Sequence, residues 1–362
     1  MPAYIDPYIE KTIRVFPEQG RGQYLRFDMN ENPEGLPEEF VNSVLKEITP
    51  SFLATYPEPN RFIQKYAEYI GANPENILPT NGSDMAIRYL LETFGETGKS
   101  VVTVSPSFEM YWVNCNILGL KHVGVEYEAD LSISIDKLCD AITGETRVVA
   151  LVNPNNPVGN VYKEEDIDRI VTKAKTVGAI VIIDEAYHYF YSESYLNRAL
   201  QCDNVVVLRT FSKLFSLAAC RLGVIIGNPK LISYVRNGRL TFDVNSFALL
   251  FGERILNCPD IIEALITTEK NGKEYVYQCL DENDYKYRKC EGNYILIETK
   301  KNPMILAELL KDKHKMLVHT YKHPLLKNYM RVSIGSVEIM KVFMKAFLME
   351  DGVNINVCGA GL

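Results

Sequence analysis

Short runs of β-branched residues alternate with amphipathic stretches through the middle of the chain. Val101-Val102-Thr103-Val104, Val148 to Val152, Ala179 to Ile183 and Val205 to Leu208 are short, almost wholly apolar and bounded by turn residues. Runs of this kind predict strands buried on both faces, as in a mostly parallel sheet. Glu164 to Thr176 carries helical periodicity, and Met85 to Phe94 forms a second helical run behind Asn81-Gly82-Ser83-Asp84. This βαβ rhythm predicts a doubly wound α/β domain.

After about residue 265 the texture changes. Tyr294 to Ile297 and Met330 to Ile334 read as strands, and Met304 to Leu310 and Val337 to Met349 as helices. The expected division is therefore an N-terminal arm or part of the small domain over 1–45, a large α/β domain over 46–264, and a smaller α+β domain over 265–362. The stretch from about Asp351 carries little pattern and is expected to be a frayed tail.

Composition narrows the function classes. The chain has 362 residues, 47% of them hydrophobic and 23% charged, which suits a soluble globular protein large enough for more than one domain. A net charge of −7 argues against nucleic acid as a partner. No stretch approaches the roughly 20 apolar residues of a membrane span. Met1-Pro2-Ala3-Tyr4-Ile5-Asp6 lacks the basic and apolar regions of a signal peptide. The eight cysteines form no CxxC pair and the five histidines no HExxH, so free thiols, a reducing cytoplasm and no metal site are expected.

Three segments carry candidate chemistry. Thr210-Phe211-Ser212-Lys213 follows the apolar run from Val205 to Leu208, with Arg221 and Gly223 just downstream. Asp184 ends an apolar strand, where a side chain faces the usual ligand crevice of an α/β sheet, and Tyr187 lies three residues on. Asn156 sits in the turn-rich Asn153-Pro154-Asn155-Asn156-Pro157-Val158-Gly159. Singly, each has a plainer reading: a solvated lysine, a capping aspartate, a packed tyrosine, a turn asparagine. Together they offer an amine for an imine, a carboxylate for a ring nitrogen, donors for a phenolic oxygen, and hydroxyls and a cation for a phosphate.

In order and spacing these segments resemble fold-type I aminotransferases, and most closely the histidinol-phosphate aminotransferase family, over nearly the whole chain. The resemblance implies the fold of type I pyridoxal-phosphate-dependent transferases. That fold has a large domain on a mostly parallel, seven-stranded-type sheet plus a smaller α+β domain, and its cofactor is pyridoxal 5'-phosphate. Lys213 would be the imine-forming lysine and the proton carrier, Asp184 the partner of the pyridine nitrogen, and Tyr187 and Asn156 donors to the phenolic oxygen. Gly82, Ser83, Asp84, Thr210, Ser212 and Arg221 would cup the phosphate, and Tyr111 would stack on the ring. Arg331, in Arg331-Val332-Ser333-Ile334-Gly335, would clamp a substrate carboxylate. Asn30-Glu31-Asn32-Pro33 resembles the family's N-terminal signature, with Asn32 a substrate-binding candidate. Tyr56, in Tyr56-Pro57, would reach the phosphate of a neighbouring subunit, which implies a homodimer with shared sites.

One departure bears on the substrate. Where the family usually has an arginine that helps bind substrate phosphate, this chain has His319, in Leu317-Val318-His319-Thr320-Tyr321. Imidazole holds a dianion less well than guanidinium. Three readings follow. The first is an aminotransferase moving an amino group from a donor such as glutamate to a carbonyl acceptor, possibly phosphorylated, by ping-pong half-reactions. The second is a decarboxylase of a phosphorylated hydroxy amino acid on the same scaffold. The third is the aminotransferase-like part of a transcription regulator, for which the chain leaves no room.

Overall fold

In a computed structural model of the chain, which describes residues 3–12 and 19–352, the apolar runs form the middle of a seven-stranded sheet. Across the sheet the order is Ile77–Asn81, Leu222–Gly227, Val205–Thr210, Ile180–Asp184, Thr146–Val152, Ser100–Ser105 and Lys121–Glu126. The last five run parallel, and Leu222–Gly227 is antiparallel to both of its neighbours. Side chains alternate between the two faces of a strand. Val181, Ile183, Val205 and Val207 accordingly enter one apolar core, and Ile180, Ile182, Val206 and Leu208 another. Helix Glu164–Thr176 covers the first face with Ile167, Ile170, Val171 and Ala174. Helix Gly82–Phe94 covers the second with Ala86, Ile87, Leu90 and Leu91. Because both faces are covered, the central strands are apolar throughout. The edge strand Lys121–Glu126 is instead half exposed and polar, which discourages pairing with other chains.

A second, four-stranded antiparallel sheet runs His319–Thr320, Tyr329–Ser333, Tyr294–Glu298, Tyr287–Arg288. It packs with helices Pro303–His314 and Val337–Asp351 around a third core of Ile295, Ile297, Leu306, Leu310, Val332, Phe343 and Phe347. The N-terminal segment joins this layer. Leu25–Arg26 pairs in parallel with Met316–Leu317, and the Phe27 ring packs at a tilt against Phe343, 5.2 Å between centroids. The boundary expected at 264/265 lies inside one continuous helix, Pro259–Glu282. Its Ile262 packs in the first core, and its Val276, Cys279 and Leu280 in the third.

The C-terminal helix also reaches further than the pattern indicates. Asp351, the expected start of a tail, is buried, and its carboxylate accepts the backbone N–H of Lys300 at 2.9 Å and of Lys301 at 2.7 Å. The remainder of the expected tail, 353–362, lies outside the described residues. No helix among the described residues is long and apolar enough to cross a membrane.

Candidate active site

The site gathers at the C-terminal ends of the central parallel strands, where open α/β sheets place their ligands. Strand Ile180–Asp184 delivers Asp184, which is 2% exposed. Its Oδ2 accepts the Tyr111 hydroxyl at 3.0 Å and its Oδ1 the Ala186 N–H at 3.2 Å. Burial pushes this carboxyl up to about 6, against the pull of those two donors. A cationic donor set against it would draw it back down, as a protonated ring nitrogen would. Tyr111 meets the carboxylate through its hydroxyl, so it bounds the same space beside Asp184.

Strand Val205–Thr210 ends in the second group. Thr210 Oγ1 accepts the Ser212 N–H at 3.1 Å, which turns the chain so that Lys213 follows. The Lys213 Nζ donates to the Met29 carbonyl at 2.8 Å and lies 5.9 Å from the Tyr187 ring centroid. The residue is half-buried, yet its amine is enclosed. Burial, helped by the Arg331 guanidinium, lowers its pKa to about 8. An amine so shifted is partly neutral near neutral pH, and the neutral form is the nucleophile and the base.

A cradle for an anion lies at the start of helix Gly82–Phe94. Asn81, at its N-cap, makes no capping hydrogen bond through its side chain. Gly82 takes a φ of +73°, and a Cβ there would come within 2.5 Å of Arg221 Nη2. A Cβ on Gly223 would come within 2.7 Å of the Ser83 nitrogen. Both positions therefore need glycine for the turn and for close approach. Arg221 Nη2 donates to Asp84 Oδ2 at 3.0 Å. First-turn amides, hydroxyls and a guanidinium are the donor set a phosphate requires. Gly82, Ser83, Asp84, Thr210, Ser212 and Arg221 could hold the phosphate of pyridoxal 5'-phosphate, and Asp184 and Lys213 would then be the candidates for its ring and aldehyde.

Arg331 faces this group from the other sheet. It is 7% exposed, donating from Nη1 to Asn156 Oδ1 and from Nη2 to the Asp28 carbonyl, both at 2.5 Å. Its Nε is buried and makes no hydrogen bond of ordinary geometry, and the buried Tyr321 hydroxyl, also without one, interacts with the same guanidinium. An unpaired donor on a buried guanidinium is costly unless a ligand completes it, and a carboxylate is its natural match. Tyr187, also buried, accepts the Asn30 side-chain N–H at 2.9 Å and packs edge-on against Tyr294.

The remaining sequence candidates lie further out. Asn32 donates to Ser216 Oγ at 2.8 Å and to the Gly35 carbonyl at 3.0 Å, and shares with Lys213 the wall of a small cavity of about 30 Å³. His319 is the strand partner of Arg331. Its ring packs edge-on against Tyr321, and partial burial and then Arg331 lower its pKa, although the residue as a whole is solvent-exposed. Tyr56 is 73% exposed and stacks on Phe242 at 4.5 Å, on the outside of the chain.

Sequence reasoning missed the segment from Asp28 to Asn30, which touches Arg331, Lys213 and Tyr187 in turn. One signal was available, because Asn30 belongs to the Asn30-Glu31-Asn32-Pro33 block. It adopts a φ of +55°, which asparagine tolerates better than most residues.

Comparison with known proteins places the chain in a family. The profile of the family described as aminotransferase class I and II matches residues 23–347. The chain is 32% identical over 332 residues to a histidinol-phosphate aminotransferase of Clostridium novyi, covering 91% of this chain and 92% of that one. It is 31% identical over 331 residues to the histidinol-phosphate aminotransferase of Methanocaldococcus jannaschii, covering 89% and 87%. Among solved structures, histidinol-phosphate aminotransferase from Sinorhizobium meliloti, in complex with pyridoxal-5'-phosphate, superposes with a TM-score of 0.86 at 20% identity, covering 97% and 98%. L-threonine-O-3-phosphate decarboxylase from Porphyromonas gingivalis shares the fold at a TM-score of 0.75 and 19% identity, covering 90% and 98%.

Proposed function

The chain belongs to the class I and II aminotransferases, and on that premise we propose that it moves an amino group between an α-amino acid donor, glutamate being the candidate, and a carbonyl acceptor. The cofactor is pyridoxal 5'-phosphate, which supplies the aldehyde that carries the amino group and the ring that draws electrons from the substrate Cα. Lys213 holds and moves the proton at that carbon, since its amine is enclosed and its pKa is lowered to about 8. Asp184 holds the proton on the ring nitrogen, and Tyr187 and Asn156 donate to the phenolic oxygen. Arg331 orients the substrate through its carboxylate. The observation that supports this reading is the buried Arg331 guanidinium, which lies near enough to Lys213 to lower its pKa and whose Nε makes no hydrogen bond of ordinary geometry.

A phosphorylated acceptor is the candidate substrate on the likeness to the Clostridium and Methanocaldococcus enzymes. His319, beside Arg331 in the sheet, would line its far end. The active unit is a homodimer in which Tyr56 completes the partner's phosphate cup. The outward Tyr56–Phe242 pair, beside the exposed Leu240, supports this. Mixing inactive Lys213→Ala chains with Tyr56→Phe chains then restores activity through hybrid sites, and a fully active monomer would contradict it. Cytoplasmic residence rests on the cysteine pattern.

The test is direct. Purified protein loaded with pyridoxal 5'-phosphate is given glutamate and a panel of carbonyl acceptors that includes imidazole acetol phosphate. Amino transfer and CO₂ release are scored together. Transfer without CO₂ is expected, and CO₂ release without transfer overturns the reading.

A further inference from the structure

Behind the strand ends that carry Asp184 and Thr210 lies a buried ion pair that the chemistry above leaves unused. Glu185 and Arg209 are 1% and 3% exposed. The ladder between the two strands runs one residue past Asp184, where the Glu185 N–H meets the Leu208 carbonyl at 2.8 Å. Side chains alternate along strands, so Glu185 and Arg209 turn to the face opposite Asp184 and Thr210. There Arg209 Nε and Nη2 donate to Glu185 Oε2 at 3.0 and 2.9 Å. The Ser194 hydroxyl reaches both Glu185 oxygens at 2.8–2.9 Å, and the Tyr195 N–H donates to Oε1 at 2.8 Å. The guanidinium stands 5.9 Å from the centre of the Tyr189 ring.

We propose that the Glu185–Arg209 pair is a positioning device for the cofactor site, clamping the two strand ends so that Asp184 and Thr210 keep their separation and aim. This rests on the reading of Asp184 and Thr210 as cofactor residues. Each member of the pair is one peptide link from one of those two anchors. Two guanidinium donors converge on one carboxylate oxygen, and the Ser194 hydroxyl and the Tyr195 N–H also hold that carboxylate, so the strand ends are tied by a network that resists displacement better than a single hydrogen bond. Stability alone is a poor reason for the pair, because removing two charges from water largely offsets their attraction. A site that must hold a ring nitrogen and a phosphate at fixed positions needs tolerances of about 0.5 Å, which such a clamp supplies.

The experiment replaces the pair without stranding a charge. In the Glu185→Leu/Arg209→Met double variant an apolar contact takes its place, a change that buried pairs often tolerate. Apoprotein melting is measured beside the Kd for pyridoxal 5'-phosphate, read from its visible absorbance. Melting at or above the wild-type temperature with a Kd raised about 10–100-fold is the expected result, in line with other supports of ligand-binding groups. A wild-type Kd and spectrum overturn the proposal, whether or not melting changes. Should the double variant fail to fold, Arg209→Lys decides, since it keeps the charge and loses the fork. A Kd raised several-fold supports the clamp, and an unchanged Kd refutes it. Asp184→Asn, assayed alongside, separates the two layers. If it too turns over normally, the reading of the cofactor site has failed rather than the clamp.

Discussion

Asp184 and the Thr210–Lys213 turn hang from neighbouring parallel strands of one sheet, whereas Arg331 hangs from a different sheet and is steadied by Asn156 and Asp28, 175 and 303 positions away. The proposed cofactor side is built by local geometry: a strand end, a tight turn, a helix start. The proposed substrate side is built by docking distant segments onto one another. Damage to single groups should therefore strike chemistry and cofactor on the first side, and substrate affinity with the cofactor intact on the second.

The largest expected effect is on the first side. Lys213→Ala should cost about 10⁴-fold or more in amino transfer, through loss of both attachment and proton carriage. Borohydride labelling followed by peptide mapping would find no cofactor at this position in the variant, and a label on any other lysine of the native protein would reject the assignment. Asp184→Asn follows. The cofactor should still attach, but a neutral amide cannot hold the ring proton, and about 3–4 kcal/mol should leave the chemical step, roughly 10²–10³-fold in kcat. Near-normal turnover would remove Asp184 from the ring.

Arg331→Lys sharpens the contrast. A point charge cannot reproduce both bonds to a carboxylate, so KM for the amino donor should rise by about tenfold or more. Cofactor affinity should stay unchanged, and a parallel loss of cofactor would erase the distinction between the two sides. The Lys213 shift gives a pH test. Its pKa is lowered to about 8, so the reactive neutral amine dominates above that pH and is protonated below it. Capture of added cofactor by apoprotein should level off above about pH 8 and fall about tenfold per unit below it. An ordinary lysine would keep the rate climbing towards about pH 10.4, and that outcome would contradict the enclosed amine. The smallest effect is expected at the rim. His319→Arg should improve turnover of imidazole acetol phosphate a few-fold, by adding a bidentate donor for phosphate. No change, in an enzyme already efficient with that acceptor, would mean that His319 takes no part in selection.

The same contrast explains what the sequence disclosed. The strands ending at Asp184 and Thr210 were legible because burial on both faces leaves an unbroken apolar run, and the chemistry follows at the last residue of each. The start of helix Gly82–Phe94 was legible because glycine and the polar first turn sit together in the chain. Arg331 was legible only through resemblance, since an arginine in a short strand is usually a surface residue. The bonds from Asp28, Met29 and Asn30 left almost no mark. Two of them use backbone carbonyls, which any residue type can offer. The Glu185–Arg209 pair was hidden for another reason: a charged residue at the end of an apolar run reads as a solvated edge until the fold shows that both faces are covered. The helix Pro259–Glu282 blurred a boundary placed by texture, because one element serves two cores.

The Asn30 backbone N–H bonds to Ser333 Oγ across 303 positions of chain. On a ribosome, the first partner emerges and then waits while the rest is made. At roughly 5–20 residues per second, that wait is about 15–60 s. Lys213 precedes Arg331 by 118 positions, so for the last part of that wait, about 6–24 s, the lysine turn can already be folded on its sheet while Arg331 and its strand do not yet exist. On the proposed roles, the residues that would hold the cofactor are thus made before the residue that would choose a substrate.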